Sequence, residues 1–322
     1  MDLPQDLRGA IDKELRSLST KELSTIAQEL SKRYREGLGI KGESFLKSSK
    51  DVTAYAAFRM PATYAAVIAA LEQVKGVHRD WRPKSLMDIG AGPGTAMWAA
   101  TNIWTAIEEI TLLEREGDMI ALGKRLALEA DEAKIRGAKW IQTDITGEWE
   151  GIKSDLIIAS YSLGELPPEK LNKVLIKLWS LTSGILVIIE PGTPVGFSRI
   201  KEARETLIKE GAKTIAPCPH DDACPLQPPD WCHFSQRVAR SRLHRQVKGG
   251  ELSYEDEKFT FIAVARQVIF SIQGRVLRHP IIRKGNIQLQ LCTLEGLKGR
   301  VITRSEKEAY RSAKDLEWGS HI

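Results

Sequence analysis

The sequence predicts an α/β protein with a parallel sheet, preceded by a helical region and interrupted late by a cysteine-rich insertion. Residues 84–191 alternate short apolar runs with segments long enough to form helices. Strands separated by helices form right-handed βαβ units, which build a parallel sheet. The 322 residues, 42% hydrophobic and 28% charged, suffice for a large soluble core. No apolar run approaches the ~18 residues of a membrane span, so we expect no membrane partner.

Residues 1–79 are predicted to form an N-terminal helical region. Leu15, Leu18 and Leu23 begin an apolar series at the three- to five-residue spacing of one helix face. A second apolar series is interrupted by Pro61, which predicts a break between two helices. That series reads AYAAFRMPATYAAVIAALEQV.

The apolar runs that follow predict five buried strands. Each run is rich in residues that favour a sheet core, and a loop or a helix-length segment separates it from the next. The predicted strands are SLMDIG, EEITLLERE, AKWIQTDI, SDLIIASYSLGEL and GILVIIEPGTP. Two later runs, which we expect to be the last strands of the same sheet, are KFTFIAVARQVIF and GNIQLQLCTLE.

A glycine loop between the first strand and the next helix predicts a cofactor pocket. Glycines let the backbone turn sharply and approach a ligand that side chains would exclude. Asp88 ends the first strand, and Glu114 ends the second, where an acid can accept both hydroxyls of a ribose. Asp144 follows the third strand, in position to face an adenine amino group. The candidate cofactor-binding residues are Asp88, Gly90, Ala91, Gly92, Gly94, Thr95, Glu114, Asp144 and Ile145.

This motif, D-x-G-x-G-x-G with acids after the next two strands, resembles that of S-adenosylmethionine-dependent methyltransferases. The resemblance implies S-adenosylmethionine as cofactor and a Rossmann-like class I methyltransferase sheet within residues 80–322. A dinucleotide site is the alternative, but it would prefer G-x-G-x-x-G, and Thr95 stands where the last glycine would be. A P-loop is excluded because no Gly-Lys-Ser/Thr follows.

The methyl acceptor cannot be identified from the residues after the fourth strand. Methyl transfer needs in-line positioning and, for a weak nucleophile, a base. Tyr161 and Glu165 are candidates for these catalytic roles, although either could equally serve in packing or capping. The Asn/Asp-Pro-Pro-aromatic tetrad that is common in base-methylating enzymes is absent at this point of the sequence.

Three of the four cysteines lie in one proline-rich insertion at about 205–250, which reads PCPHDDACPLQPPDWCHFSQR from Pro217 onward. Its prolines prevent a regular helix or strand ladder, so the segment needs an external cross-link. The candidate metal ligands are Cys218, Cys224, Cys232 and Cys292. Four thiolates suit either a tetrahedral zinc ion or an iron–sulfur cluster. The wide spacing and the Cys-Pro pairs favour iron–sulfur. His220 and His233 are reserve ligands that would favour zinc.

Two basic runs flank the cysteines and predict a nucleic-acid surface. Residues 237–248 contain five Lys or Arg and no acid, and residues 266–304 contain eight against Glu295 alone. A solvated face is the ordinary explanation of such runs, but nearby aromatics favour RNA contact.

Several longer phrases resemble one family, the mitochondrial ribosomal small-subunit Rsm methyltransferase-like proteins and their prokaryotic relatives. The phrases are RMPATYAA, PCPHDDACPL…WCHFSQR, KFTFIAVAR and VITRSEKEAYRSAKDLEWG. The resemblance covers about residues 50–320. It implies a methyltransferase fold, a 4Fe–4S cluster on the four cysteines, and association with the small ribosomal subunit and its rRNA. It also implies a role in assembly of that subunit and in translation.

The resemblance leaves open whether RNA is methylated. A non-catalytic assembly factor that uses pocket and cluster structurally is one alternative, and a methyltransferase for a protein or small molecule is another. The N-terminus lacks an Arg- and Ser-rich, acid-poor transit segment. The sequence therefore predicts a prokaryotic, cytoplasmic protein.

Overall fold

The computed structural model describes residues 2–16, 18–35, 48–240, 252–267 and 272–322. Its first four helices are α1 (Gln5–Leu15), α2 (Thr20–Arg35), α3 (Ser49–Phe58) and α4 (Met60–Val77). Helix α4 begins where the sequence predicted a break, with Pro61 in its first turn, where a missing N–H costs no hydrogen bond. Helix α4 is apolar on all sides because it packs against both neighbouring helices and the sheet.

The predicted alternation of strands and helices is confirmed. The elements of this region are β1 (Ser85–Ile89), α5 (Thr95–Ile103), β2 (Glu109–Glu114), α6 (Gly117–Leu128), α7 (Ala133–Arg136), β3 (Lys139–Gln142), β4 (Ser154–Ser160), α8 (Pro168–Leu181), β5 (Thr182–Pro191) and α9 (Pro194–Lys209). Strands β1 to β5 are parallel, in the order β3-β2-β1-β4-β5. The order reverses beside β1, which opens a crevice at the carboxyl ends of β1 and β4.

Three later strands complete the main sheet. The cysteine segment connects two of them, and both of these pair with the third. These strands are β6 (Lys213–Ala216), β7 (Phe234–Ala239) and β8 (Tyr254–Ala265). Strand β8 pairs antiparallel with β5 on one side. On its other side it pairs first with β7 and then with β6. The cysteine segment therefore leaves the sheet edge after β6 and returns to it at β7.

The run GNIQLQLCTLE does not join the main sheet, contrary to the prediction. It forms part of a second, antiparallel sheet made of β9 (Gly274–Val276), β10 (Ile281–Arg283), β11 (Asn286–Thr293) and β12 (Gly296–Thr303), which helix α10 (Lys307–Ala313) follows. Leu289 and Leu291 of β11 bury one face of this sheet in a separate small core. The main sheet already ends in β6 and β7 along β8, so β8 offers no free edge for β11 to pair with there.

In the described ranges no single helix is long and apolar enough to cross a membrane. Helices α3 and α4 together reach the required length and composition, but they meet at a bend of 47°. Most of α4 is buried in the core.

Candidate cofactor pocket and cysteine site

A cleft of ≈ 380 Å³ lies at the carboxyl ends of the parallel strands, where α/β sheets bind ligands. Most of the predicted residues line it, including both catalytic candidates. The predicted residues in its wall are Gly90, Ala91, Gly92, Thr95, Glu114, Asp144, Ile145, Tyr161 and Glu165. Asp88 and Gly94 lie behind this wall instead of within it.

The backbone of the glycine loop has φ angles that glycine adopts more readily than any other residue. Gly90, Gly92 and Gly94 have φ values of 62°, 54° and 86°, all in the left-handed region. A Cβ atom on Gly90 would come within 2.5 Å of Cβ of Ser162, whereas one on Gly92 would meet nothing within 4 Å. The loop is therefore packed at Gly90 against the segment that follows β4, and a side chain at Gly92 would have open space before it.

Glu114 holds the glycine loop through backbone hydrogen bonds. Its Oε2 accepts the N–H of Gly92 at 2.7 Å, and its Oε1 accepts those of Arg115 and Glu116, each at 2.8 Å. A carboxylate has about four acceptor positions, so room for a ligand hydroxyl remains. The predicted ribose contact is thus compatible with this position, and the carboxylate also shapes the loop.

Asp88 supports the first turn of α5 from below the loop. Its side chain is fully buried, and its Oδ2 accepts the N–H of Met97 at 3.2 Å. Within the described residues its Oδ1 has no hydrogen-bond partner. Burial, with a smaller contribution from the charge of Glu114, raises the pKa of Asp88 to about 7 against the opposing effect of the Met97 hydrogen bond.

Asp144 and Ile145 form the outer wall of the cleft, beyond the end of β3. The Oδ1 of Asp144 accepts the N–H of Thr146 at 2.8 Å and its hydroxyl at 2.7 Å. These two hydrogen bonds hold the pKa of Asp144 below its usual value. The exposed carboxylate therefore stays ionised and available to a donor group of a ligand.

Tyr161 stands in the wall of the cleft, in a strained conformation. Among the described residues it is the one non-glycine with a positive φ, 57°, and such strain is concentrated at functional sites. Its hydroxyl donates to Oε1 of Glu257 at 3.1 Å, and Nη2 of Arg59 donates to the same oxygen at 3.3 Å. Sequence reasoning missed Glu257 because it lies in β8, far along the chain from Tyr161.

Glu165 follows β4 on a short 3₁₀ turn and is exposed to the cleft. Removal from bulk water within the cleft raises the pKa of its carboxyl to about 7, and the nearby charge of Glu114 adds to the shift. A carboxyl that titrates near neutral pH can take up or release a proton. Its position and chemistry suit a general base.

All four cysteines line one cavity of ≈ 40 Å³. Cys218, Cys224 and Cys232 come from the segment between β6 and β7, and Cys292 comes from β11 of the second sheet. Burial raises the pKa of Cys218 and raises that of Cys232 well above its usual value. Burial raises the pKa of Cys292 to about 12. These three thiols thus share an environment that disfavours bare thiolates and that a bound cation would change.

The two reserve histidines differ in their positions. His220 places Nε2 at 3.9 Å from Sγ of Cys292. His233 stacks on Trp231 and lies outside the cavity wall. Within the described ranges no three His, Cys, Asp or Glu side chains are grouped as a single metal ion would require. The cysteines surround a space and do not converge on one point.

Much of the predicted basic surface is engaged within the chain. Arg237 pairs with Asp256, and Arg240 pairs with Glu255. Arg266 stacks on a tryptophan ring, and Arg275 is buried. Arg242, Arg245 and Lys248 lie outside the described residues. The arginines of these runs that the structure describes therefore leave less unpaired positive charge on the surface than the sequence suggested.

A different basic group remains exposed at one end of the second sheet. Arg283, Lys284 and Arg304 are brought together there, because Arg283 pairs across to Asn286, and Asn286 to Thr303. No ion pair engages these three side chains within the described part of the chain. We refer to them as the β10–β12 basic end.

The sheet order and the cleft define a Rossmann-like α/β protein of the methyltransferase-like class. A family model described as mitochondrial small ribosomal subunit Rsm22 matches residues 49–322, and the chain belongs to this family.

The curated relatives include the human mitochondrial ribosome assembly protein METTL17, 28% identical over 98% of this chain and 67% of its own length. Two fission-yeast mitochondrial Rsm22-cox11 tandem proteins are 25% identical over 83% of the chain, which spans only 42% of their length.

Solved methyltransferase structures resemble the chain partially. The magnesium protoporphyrin IX methyltransferase ChlM from Synechocystis PCC 6803, with bound SAM, is 13% identical with a TM-score of 0.41, over 73% of this chain and 90% of its own. The N-methyltransferase NodS from Bradyrhizobium japonicum is 10% identical with a TM-score of 0.40, over 61% and 85%.

The prediction of a prokaryotic, cytoplasmic protein is wrong. The matching family is described as mitochondrial, and so are the human and fission-yeast relatives. The prediction rested on the composition of the first residues of the sequence alone.

Proposed function

We propose that the chain binds S-adenosylmethionine in the ≈ 380 Å³ cleft and serves the assembly of the small ribosomal subunit of mitochondria. The observation that carries the cofactor proposal is the glycine loop, whose open position at Gly92 lies beside Glu114 in a cleft that Asp144 also lines. Membership of the Rsm22 family and the name of the human relative support the ribosomal part.

Within this proposal Glu165 is the candidate base, and Tyr161 positions the acceptor. Both line the cleft, and the link from Tyr161 through Glu257 to Arg59 fixes the tyrosine ring. A tyrosine in a strained conformation, whose hydroxyl bonds to a glutamate that an arginine also contacts, offers a preorganised wall for a planar acceptor. An RNA base is the acceptor that suits the family.

We also propose that the four cysteines hold a 4Fe–4S cluster. When bound, such a cluster would supply a covalent cross-link between the insertion and the second sheet. Four sulfur atoms around one cavity match the donor set of a cluster. We assign residues 205–250 to this insertion and residues 80–322 to the sheet domain that carries it, with residues 1–79 as the helical region.

Methyl transfer to immature small subunits is the test of the enzymatic part. We expect label from S-adenosylmethionine to enter rRNA with the wild-type protein, and Glu165→Gln to reduce the rate at least tenfold because the base is lost. Glu116→Gln removes a carboxylate from the same cleft wall and serves as the control. Cofactor binding without any labelled product would instead identify a non-catalytic assembly factor.

The β10–β12 basic end is proposed to contact rRNA phosphates. Changing Arg283 and Lys284 together to Gln should reduce the salt dependence of small-subunit RNA binding by about 1 per lost contact. The matched control is the double change of Arg237 and Arg240 to Gln, which removes the same charge from side chains already paired with acids. The salt dependence of RNA binding is measured by filter retention at a series of concentrations from low to high salt. Equal slopes for the two double variants would contradict the proposal.

A further inference from the structure

Two buried arginines stand in the wall of the cysteine cavity. Arg204 of α9 is 3% exposed and Arg275 of β9 is 1% exposed. Among the described residues that line the cavity, none is Asp or Glu. A guanidinium group keeps its charge even when buried, and a buried charge is costly unless an opposite charge accompanies it.

The backbone hydrogen bonds of these arginines go to neutral carbonyl groups, and Arg204 also donates a hydrogen bond to the Cys218 sulfur. Arg204 Nη2 donates to the carbonyls of His220 and Asp222, both at 2.7 Å. Arg275 donates through Nε to Pro217 at 3.0 Å and through Nη1 to Gly319 at 2.7 Å. The arginines therefore hold the backbone of the cysteine segment and of the C-terminus, but neither charge is balanced by these contacts.

Each arginine also keeps one N–H group without a partner. Within the described residues the Nε of Arg204 and the Nη2 of Arg275 make no hydrogen bond, although both are buried. In β9 Arg275 is the direct cross-strand neighbour of Cys292. Two uncompensated cations with free donors, set among four thiols, indicate that the cysteines together with their bound group carry a net negative charge.

We propose that Arg204 and Arg275 are the countercharges of the cysteine-bound cluster, balancing its negative charge and offering N–H groups to its sulfur atoms. This inference rests on the proposed 4Fe–4S site. An oxidised 4Fe–4S core held by four thiolates is a dianion, which two guanidinium groups neutralise. One-electron reduction adds a further negative charge, so the two arginines favour the reduced form and raise the reduction potential.

The test is an anaerobic redox titration of Arg204→Gln and Arg275→Gln with dithionite, followed by visible absorbance and electron paramagnetic resonance. One electron passes from dithionite to the cluster in each molecule. We expect each Gln variant to lower the equilibrium constant for reduction about tenfold, which corresponds to about 59 mV for one electron. Arg204→Lys and Arg275→Lys keep the charge and should recover most of the shift. Arg199→Gln, on α9 but outside the cavity wall, should leave the potential unchanged.

Measuring the iron and sulfide content distinguishes a failure of the arginine inference from a failure of the cluster proposal on which it rests. Wild-type protein without iron and sulfide would overturn the cluster and this inference with it. Normal cluster content in the Gln variants with unchanged potentials would overturn the role of the arginines alone. Loss of the cluster in the Gln variants but not in the Lys variants would support a need for charge. Loss in both sets would show that only the carbonyl contacts matter, which contradicts the inference.

Discussion

Gly92→Arg is expected to abolish binding of S-adenosylmethionine, with at least a hundredfold loss of affinity. The Cβ position of Gly92 meets no atom within 4 Å, so the arginine side chain would extend into the cleft and occupy the space of the ligand. The fold should survive, because the left-handed φ of 54° costs a non-glycine residue only about 1–2 kcal/mol. Isothermal titration calorimetry with the wild type and the variant measures the effect.

The chain offers a matched control for this experiment in Gly211. Its φ is 85°, and a Cβ there would also meet nothing within 4 Å, but it lies after α9 and away from the cleft. Gly211→Arg should therefore suffer the same backbone strain and bind the cofactor normally. An equal loss in both variants would point to general destabilisation, and normal binding by the Gly92 variant would contradict the cofactor proposal.

Cys232→Ser is expected to remove the proposed cluster and destabilise the region from β6 to β11. Cys232 lies two residues before β7, and the cavity wall also contains Cys292 of the second sheet. Because metal-binding free energy becomes folding free energy, one lost ligand should loosen both sheets where they meet. Anaerobically purified wild type should be brown with about four irons per chain. The variant should lose this iron, and hydrogen exchange should accelerate in β7 and β11.

His233→Gln is the control for Cys232→Ser, since His233 neighbours Cys232 in sequence but lies outside the cavity wall. It should keep the full iron content. Colourless wild-type protein with one zinc would contradict the cluster while preserving a metal cross-link. Wild-type protein that contains neither metal, and that stays folded after chelation, would exclude both.

Some parts of the site could be predicted from local sequence because local physics decides them. Left-handed glycines between a strand and a helix need no distant partner, so the pattern around Gly90 and Gly92 indicated the loop directly. The role of the neighbouring residue Asp88 was harder to predict from the sequence. Asp88 was predicted to face the cofactor, yet the packing of α5 places it beneath the loop as a buried partner of Met97.

The basic runs show where sequence reasoning fails. Counting charges predicted one continuous surface, but Arg237 and Arg240 face acids across the β7–β8 pair, and Arg275 is buried at the cysteines. Composition cannot distinguish a solvated arginine from a paired one, because the partner is chosen by strand register.

The sequence by itself determined the alternation of strands and helices from β1 to α9 and the glycine loop, since each depends on residues close together in the chain, and it identified the four thiols. Only the tertiary structure decided that β11 belongs to a second sheet, that Cys292 reaches the other three cysteines, and that Glu257 meets Tyr161. It also decided that Arg204 and Arg275 are buried beside the thiols. These contacts join residues far apart in sequence, and their pairing depends on which sheet edges remain free once the local elements have formed.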